Sequence, residues 1–159
     1  MRDLEFFVLP LGDIKLEKLD IHNKKHIKAV RGLRDFKART MCYDVKQDLD
    51  YIKRGIDEGN NFLVRNDDGY FGYIQISNDY EGTRVLSYVI QKKVRGKGLG
   101  KIMLTRVSNY LLDNNLADKI KLYVKRKNVV GKRLVESCGF GIESTKIEDV
   151  DAYSRGNKK

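Results

Sequence analysis

Proline and tryptophan are nearly missing from this chain: its 159 residues include one proline, Pro10, and no tryptophan. With no low-complexity linker and no internal repeat either, nothing marks a domain boundary, and residues 1–159 are expected to form a single domain. Two cysteines, Cys42 and Cys138, are too few for a secreted disulfide framework. Both thiols read as small core residues in a reduced, cytoplasmic setting. No stretch approaches the ~18 consecutive apolar residues of a membrane span, and no basic-then-apolar leader opens the chain, so no membrane partner is expected. What is present suffices for a core. The 41% hydrophobic and 34% charged shares exclude a collagen-like, mucin-like or wholly disordered chain, and a chain of this length buries roughly two-thirds of its unfolded surface.

Negative charge is scarce in one place. The formal net charge is +10, yet residues 1–90 balance at 15 basic against 15 acidic groups. Residues 91–134 hold 13 basic and 2 acidic, and residues 135–159 hold 4 and 5. The excess therefore lies in one continuous segment. A purely solubilising charge would be spread out, so this distribution asks for a polyanion: nucleic acid, anionic lipid or a phosphorylated small molecule.

Periodicity supplies the elements. Glu5–Leu9 or Lys15–Ile21 alternates well enough for a first strand. A helix follows with Ile27, Val30 and Leu33 on one face. Asp44 is placed to cap another, with Val45, Leu49, Ile52 and Ile56 inward and Gly59 beyond its end. Asn61–Arg65 and Tyr70–Ile76 flank Asn66-Asp67-Asp68-Gly69, a hairpin signal. A turn near Glu81-Gly82 leads into Thr83–Ile90, and short turns make these three strands antiparallel. A glycine-rich turn then opens a helix with Leu99, Met103, Val107, Tyr110 and Leu111 inward, stopped at Asn114-Asn115. Lys121–Val124 is a strand that a strand-helix-strand unit sets parallel to Thr83–Ile90. Asn128 caps a helix to Cys138, and Ile142–Tyr153 supplies one or two last strands. The class is α/β or α+β.

The glycine turn, Arg95-Gly96-Lys97-Gly98-Leu99-Gly100-Lys101, is built for phosphate. Unpaired amides and the helix dipole favour an anion there, glycine lets the backbone approach, and Lys92, Lys93, Arg95, Lys97 and Lys101 add charge. A P-loop would need Ser or Thr after Lys101, where Ile102 stands, and a dinucleotide fingerprint would need glycine at Met103. His22 and His26 have the i, i+4 spacing of a metal pair, but no third ligand has a recognisable position. They read as exposed polar residues, and no metal is expected.

Arg95 to Gly100 matches the Arg/Gln-x-x-Gly-x-Gly/Ala signature of the GNAT superfamily of acetyl-coenzyme A-dependent N-acetyltransferases. Leu86–Ile90 resembles the strand before that signature, and Asn128, Gly131, Leu134 and Gly139-Phe140 resemble the family's second segment. The resemblance implies a mixed, mostly antiparallel sheet of roughly six to seven strands with a splayed central parallel pair, flanked by about four helices. It implies acetyl-CoA as co-substrate. Backbone amides of Arg95, Gly96, Lys97, Gly98, Leu99, Gly100 and Lys101 would hold the pyrophosphate, Val89 and Ile90 the pantetheine arm, and Asn128 the cofactor arm as well as the helix start. Lys125, Arg126, Lys132 and Arg133 would meet the ribose phosphate.

The same resemblance exposes a gap. The family's general-acid tyrosine falls on Val135, and a glutamate that some relatives carry falls on Arg84. Tyr123 is the candidate acid, with Tyr88 and Tyr153 as other phenols, Ser137 and Cys138 as nearby groups, and solvent as the alternative for a thiolate leaving group. Glu81, with Asp79, is the candidate base. The implied activity is direct acetyl transfer to a primary amine of a small molecule, an amino sugar or a protein, by a monomer or homodimer. A tRNA-directed acetyltransferase toxin and a non-catalytic acyl-CoA-binding regulator are the competing functions.

Overall fold

The computed structural model describes residues 4–33, 61–79, 82–91 and 94–156. The helix expected after Asp44, together with Cys42, Glu81, Lys92 and Lys93, lies outside the described residues. Eight strands and three helices follow in the order β1 (Val8–Leu11), β2 (Ile14–Lys18), α1 (Lys24–Gly32), β3 (Asn61–Asn66), β4 (Gly69–Asn78), β5 (Thr83–Ile90), α2 (Leu99–Asp113), β6 (Lys119–Lys125), α3 (Val129–Ser137), β7 (Gly141–Glu143) and β8 (Val150–Gly156). They form one sheet in the order β1-β2-β3-β4-β5-β6-β8-β7. Among the described residues only β5 and β6 pair in parallel; every other pairing is antiparallel.

The strand count exceeds the expected six to seven because both candidate first strands form. They pair with each other across Gly12, whose φ of 72° suits a residue without Cβ. The tail likewise supplies two strands.

Alternation on the strands sorts the core into two faces. Phe62, Val64, Ile74, Ile76, Leu86, Ile120 and Leu122 pack with Met103, Leu104, Val107 and Leu111 of α2 and Val135 of α3. On the opposite face Leu63, Tyr73 and Val89 receive Val30 and Leu33 at the end of α1. Arg84 shows what replaces an expected carboxylate: its guanidinium is buried, donating from Nε to the Leu116 carbonyl at 2.6 Å and from a terminal nitrogen to Asn78 Oδ1 at 2.9 Å. It braces the turn after α2 against the root of β5.

Two histidine expectations are overturned. Asn23 caps α1 by accepting from the amides of Lys25 and His26, so the helix begins after His22 and the two imidazoles do not form a helical pair. His26 is buried, not exposed. Its Nδ1 accepts from the Asp20 amide at 3.0 Å, which leaves Nε2 to donate to Glu17 at 3.0 Å. Inward positions 26, 30 and 33 leave Ile27 half-exposed.

Glu17 is the hub of this attachment. Besides His26 it accepts from the Tyr70 hydroxyl at 2.5 Å and from Arg65 at 3.4 Å. Burial alone would push its carboxyl up, but these donors outweigh burial and hold it below the usual value of 4.5. A carboxyl lowered in the folded state contributes stability that is present above the unfolded pKa and lost as pH falls through the folded one. Glu17→Gln is therefore expected to lower the Tm at neutral pH, and the gap to wild type should close on acidification below about 4.5, as followed by thermal melts across pH. A gap that is constant with pH would contradict the role given to the charge.

Candidate active site

β5 and β6 part company. Their ladder runs Thr83–Lys119, Arg84–Ile120, Val85–Lys121 and then ends, although β5 continues to Ile90 and β6 to Lys125. Each strand instead follows its antiparallel partner along its other edge, β5 with β4 to Ile90 and β6 with β8 to Lys125. The gap opens into a cleft of about 420 Å³. Leu86, Ser87, Tyr88 and Ile90 line it from β5, Leu122, Tyr123 and Val124 from β6, and the starts of α2 and α3 close its mouth.

The glycine turn forms that mouth for reasons of backbone geometry. Gly96 and Gly98 have φ of 83° and 78°, a region that side chains disfavour, and a Cβ at either would meet no atom within 4 Å. The backbone there faces open space. Gly98 caps α2 without any side-chain hydrogen bond, so the first-turn amides are not satisfied by a capping side chain. Gly100 serves close packing: a Cβ would come within 3.3 Å of Leu134 on α3. The Arg95 Nε donates to the Ile90 carbonyl at 3.0 Å, tying the turn back to the strand end. Across the mouth, Asn128 caps α3 by accepting from the Gly131 amide at 2.9 Å. A Cβ at Gly131 would strike that amide side chain, which explains glycine there.

Ile90, Arg95, Gly96, Gly98, Leu99, Gly100, Lys101, Tyr123 and Asn128 thus share one cleft. Val89 and Lys97 do not line it: Val89 is buried in the α1 face, and Lys97 is exposed between two lining glycines. Sequence reasoning missed Ser87 and Val130. Strand alternation opposite Tyr123 could have indicated the former; the latter depends on how α3 docks.

Candidate proton donors separate sharply. Val135 is fully buried in the core and offers nothing. Tyr153 does not reach the splay; its ring is buried and its hydroxyl donates to Glu136 on α3 at 3.1 Å. Burial, then the Glu136 carboxylate, push that phenol up to about 12. Ser137 donates to the Leu134 carbonyl, and Cys138 is buried with Sγ 3.8 Å from the Lys101 carbonyl. Asp79 is exposed in the turn before β5 and does not line the cleft. Tyr88 and Tyr123 remain as phenols on the cleft wall. Beside Tyr123 stands Lys121, its ammonium 5.2 Å from the ring centroid. A hydrogen bond with Tyr123 and the Glu143 carboxylate at 3.4 Å hold that ammonium above its ordinary value, against partial burial.

The basic segment is also sorted by the fold. Arg106 pairs with Asp13, Lys119 and Lys121 with Glu143, and Arg126 and Lys132 with Asp151, all carboxylates from outside residues 91–134. Lys97, Lys101, Lys125, Lys127 and Arg133 have no carboxylate partner among the described residues. Each lines the cleft or adjoins a residue that does. Among the described residues no group of three or more His, Cys, Asp or Glu side chains could hold a metal ion, and no helix is long and apolar enough to cross a membrane.

Comparison with known proteins bears on the same elements. An uncharacterized N-acetyltransferase of Methanocaldococcus jannaschii is 32% identical over 82 residues, which are 51% of this chain and 53% of that protein. The match thus spans about half the length of that relative. A ribosomal L7/L12 alpha-N-protein acetyltransferase solved in complex with coenzyme A superposes with a TM-score of 0.74 at 13% identity, covering 94% of this chain and 97% of the other. A spermidine N-acetyltransferase variant of Vibrio cholerae gives a TM-score of 0.71 at 18% identity over 91% and 94%. These likenesses concern the fold. The profile of the acetyltransferase (GNAT) family matches residues 30–140, from α1 through the glycine turn to the end of α3. The chain belongs to the GNAT family of acetyltransferases.

Proposed function

We propose that this protein transfers the acetyl group of acetyl-CoA directly to a primary amine. The observation that carries the reading is the parted β5–β6 pair, which opens toward two helix starts and an open glycine cradle with Lys101 on its lining. The residues fit the group. Open space over Gly96 and Gly98 leaves room for a pyrophosphate against the first-turn amides of α2, where the dipole favours anions. Lys97, Lys101, Lys125, Lys127 and Arg133 supply charge for the remaining phosphate, and Asn128 lies beside the arm. Along Leu86–Ile90 the edge of β5 facing the gap has no partner strand, which suits an extended amide-bearing arm such as pantetheine.

Bound there, acetyl-CoA supplies a thioester carbonyl activated toward amines. The chain's own residues then position and protonate. Backbone N–H groups on the free edge of β5 are available to polarise the carbonyl. Tyr123 presents its phenol at the cleft wall as the proton donor, with the Lys121 ammonium beside its ring. This assigns Tyr123 the task that Val135 cannot perform. Glu81 is the candidate to receive the amine's proton.

Two measurements test these assignments. Gly98→Ala must adopt a left-handed φ at a cost of about 1–2 kcal/mol and places a methyl group in the cradle. Coenzyme A should raise the Tm of the wild type, and that gain should be largely lost in Gly98→Ala. A wild-type protein that coenzyme A does not stabilise would refute the reading. Tyr123→Phe is expected to lower kcat by ~10²-fold or more while leaving the KM for acetyl-CoA little changed. Unaltered kcat would transfer the protonation to Tyr88 or solvent.

A further inference from the structure

α1 carries a feature that the cleft does not use. Its nine residues include Lys24, Lys25, Lys28 and Arg31 and no acidic residue. None of these four cations has an ion-pair or hydrogen-bond partner among the described residues, and all are exposed. Apart from Arg31 in the last turn, their placement works against the helix. Lys24 and Lys25 occupy the first turn, where the dipole disfavours positive charge, and Lys24–Lys28 and Lys28–Arg31 are like-charge neighbours at i, i+4 and i, i+3. Lys24, Lys28 and Arg31 border a shallow groove of about 260 Å³ whose other walls are Ile21, His22 and Ile27. The strip also has a direction. Gly32, the last residue of α1, lies against Gln91, which directly follows β5: a Cβ on Gly32 would come within 3.2 Å of the Gln91 side chain. It runs from the β2 side of the sheet to the cleft-lining strand, on the face opposite α2 and α3.

We infer that α1 docks an acidic polypeptide segment that carries the acceptor amine. This rests on the acetyl-transfer reading and narrows its acceptor from any primary amine to one presented by an acidic protein or peptide. Charge excludes the opposite class, because a free polyamine would be repelled by four unpaired cations. The groove's chemistry selects between polyanions. Its apolar walls, Ile21 and Ile27, suit an apolar side chain, which a phosphate backbone lacks, and among the described residues no Phe, Tyr or Trp lines it for base stacking, His22 being its one ring. An extended peptide places alternate carboxylates ~6.6 Å apart, close to the ~6 Å rise between Lys24 and Lys28.

The test is a titration of the whole protein with a short fluorescein-labelled peptide alternating Glu and Leu, followed by anisotropy, against an RNA hairpin as competitor. Peptide binding should weaken with rising salt, fall by ~10-fold or more in Lys24→Glu/Lys28→Glu/Arg31→Glu, and fall in Ile27→Ser. Lys24→Glu favours α1 through its dipole whereas Arg31→Glu in the last turn opposes it, so Lys24→Glu/Lys28→Glu is measured alongside, and loss of binding there cannot be put down to a melted helix. Stabilisation by coenzyme A, measured on the same samples, should be unchanged. Wild-type affinity in the triple variant, or a preference for the RNA over the peptide, overturns the inference. Absence of coenzyme A stabilisation in the wild type fails the acetyl-transfer reading instead, so the two failures are told apart.

Discussion

A parallel strand pair that is hydrogen-bonded at one end and open at the other organises everything else in this molecule. β5 and β6 are each fully laddered to an antiparallel neighbour, so each belongs to its own half of the sheet, and three registered pairs join the halves. Past Val85 and Lys121 the strands lose each other, and unpaired backbone edge faces a gap. In an ordinary sheet such an edge would be filled or covered. Here the hydrophobic packing of α2 and α3 against one face holds it open, with Leu134 set against Gly100 and Val135 sealed in the core. Both helix starts then line the cleft, so the backbone presents partial positive charge there before any side chain is considered.

The side chains refine that field by subtraction. Residues 91–134 hold a large positive excess, and the tertiary structure neutralises part of it with Asp13, Glu143 and Asp151 brought from distant parts of the chain. Among the described residues, the segment's cations left without carboxylates line the cleft or adjoin in sequence a residue that does. Coenzyme A carries three phosphates, so the apparent surplus over what such a cofactor needs shrinks once the pairs are recognised. Unpaired positive charge reappears on α1, in the half of the chain whose balance is zero by count. Net charge by segment therefore misplaced the second cationic surface, because Glu17, close in sequence to α1, is spent on His26, Tyr70 and Arg65.

Much of the site was legible because its signals are local. Positive φ at Gly96 and Gly98, the Asn128 cap and the Asp-Gly hairpin are each decided by a few consecutive residues. The errors arose where a residue's fate depends on a distant partner. His26 read as an exposed polar residue, yet the Asp20 amide and Glu17 satisfy both its nitrogens and let it be buried. Tyr153 looked available as an acid until Glu136 on α3 was found to take its hydroxyl. The first strands were underestimated because two short, weakly alternating segments become strands only by pairing with each other.

The sequence by itself determined the family, the glycine turn and the order of the elements, since these rest on contiguous motifs and on hydrophobic period. It also exposed the absence of a phenol at Val135. Only the tertiary structure decided which phenols face the cleft, which cations stay unpaired and where the parallel pair parts. Those properties come from strand register and helix docking, which bring together groups far apart in the chain, and no local pattern encodes the distance between them.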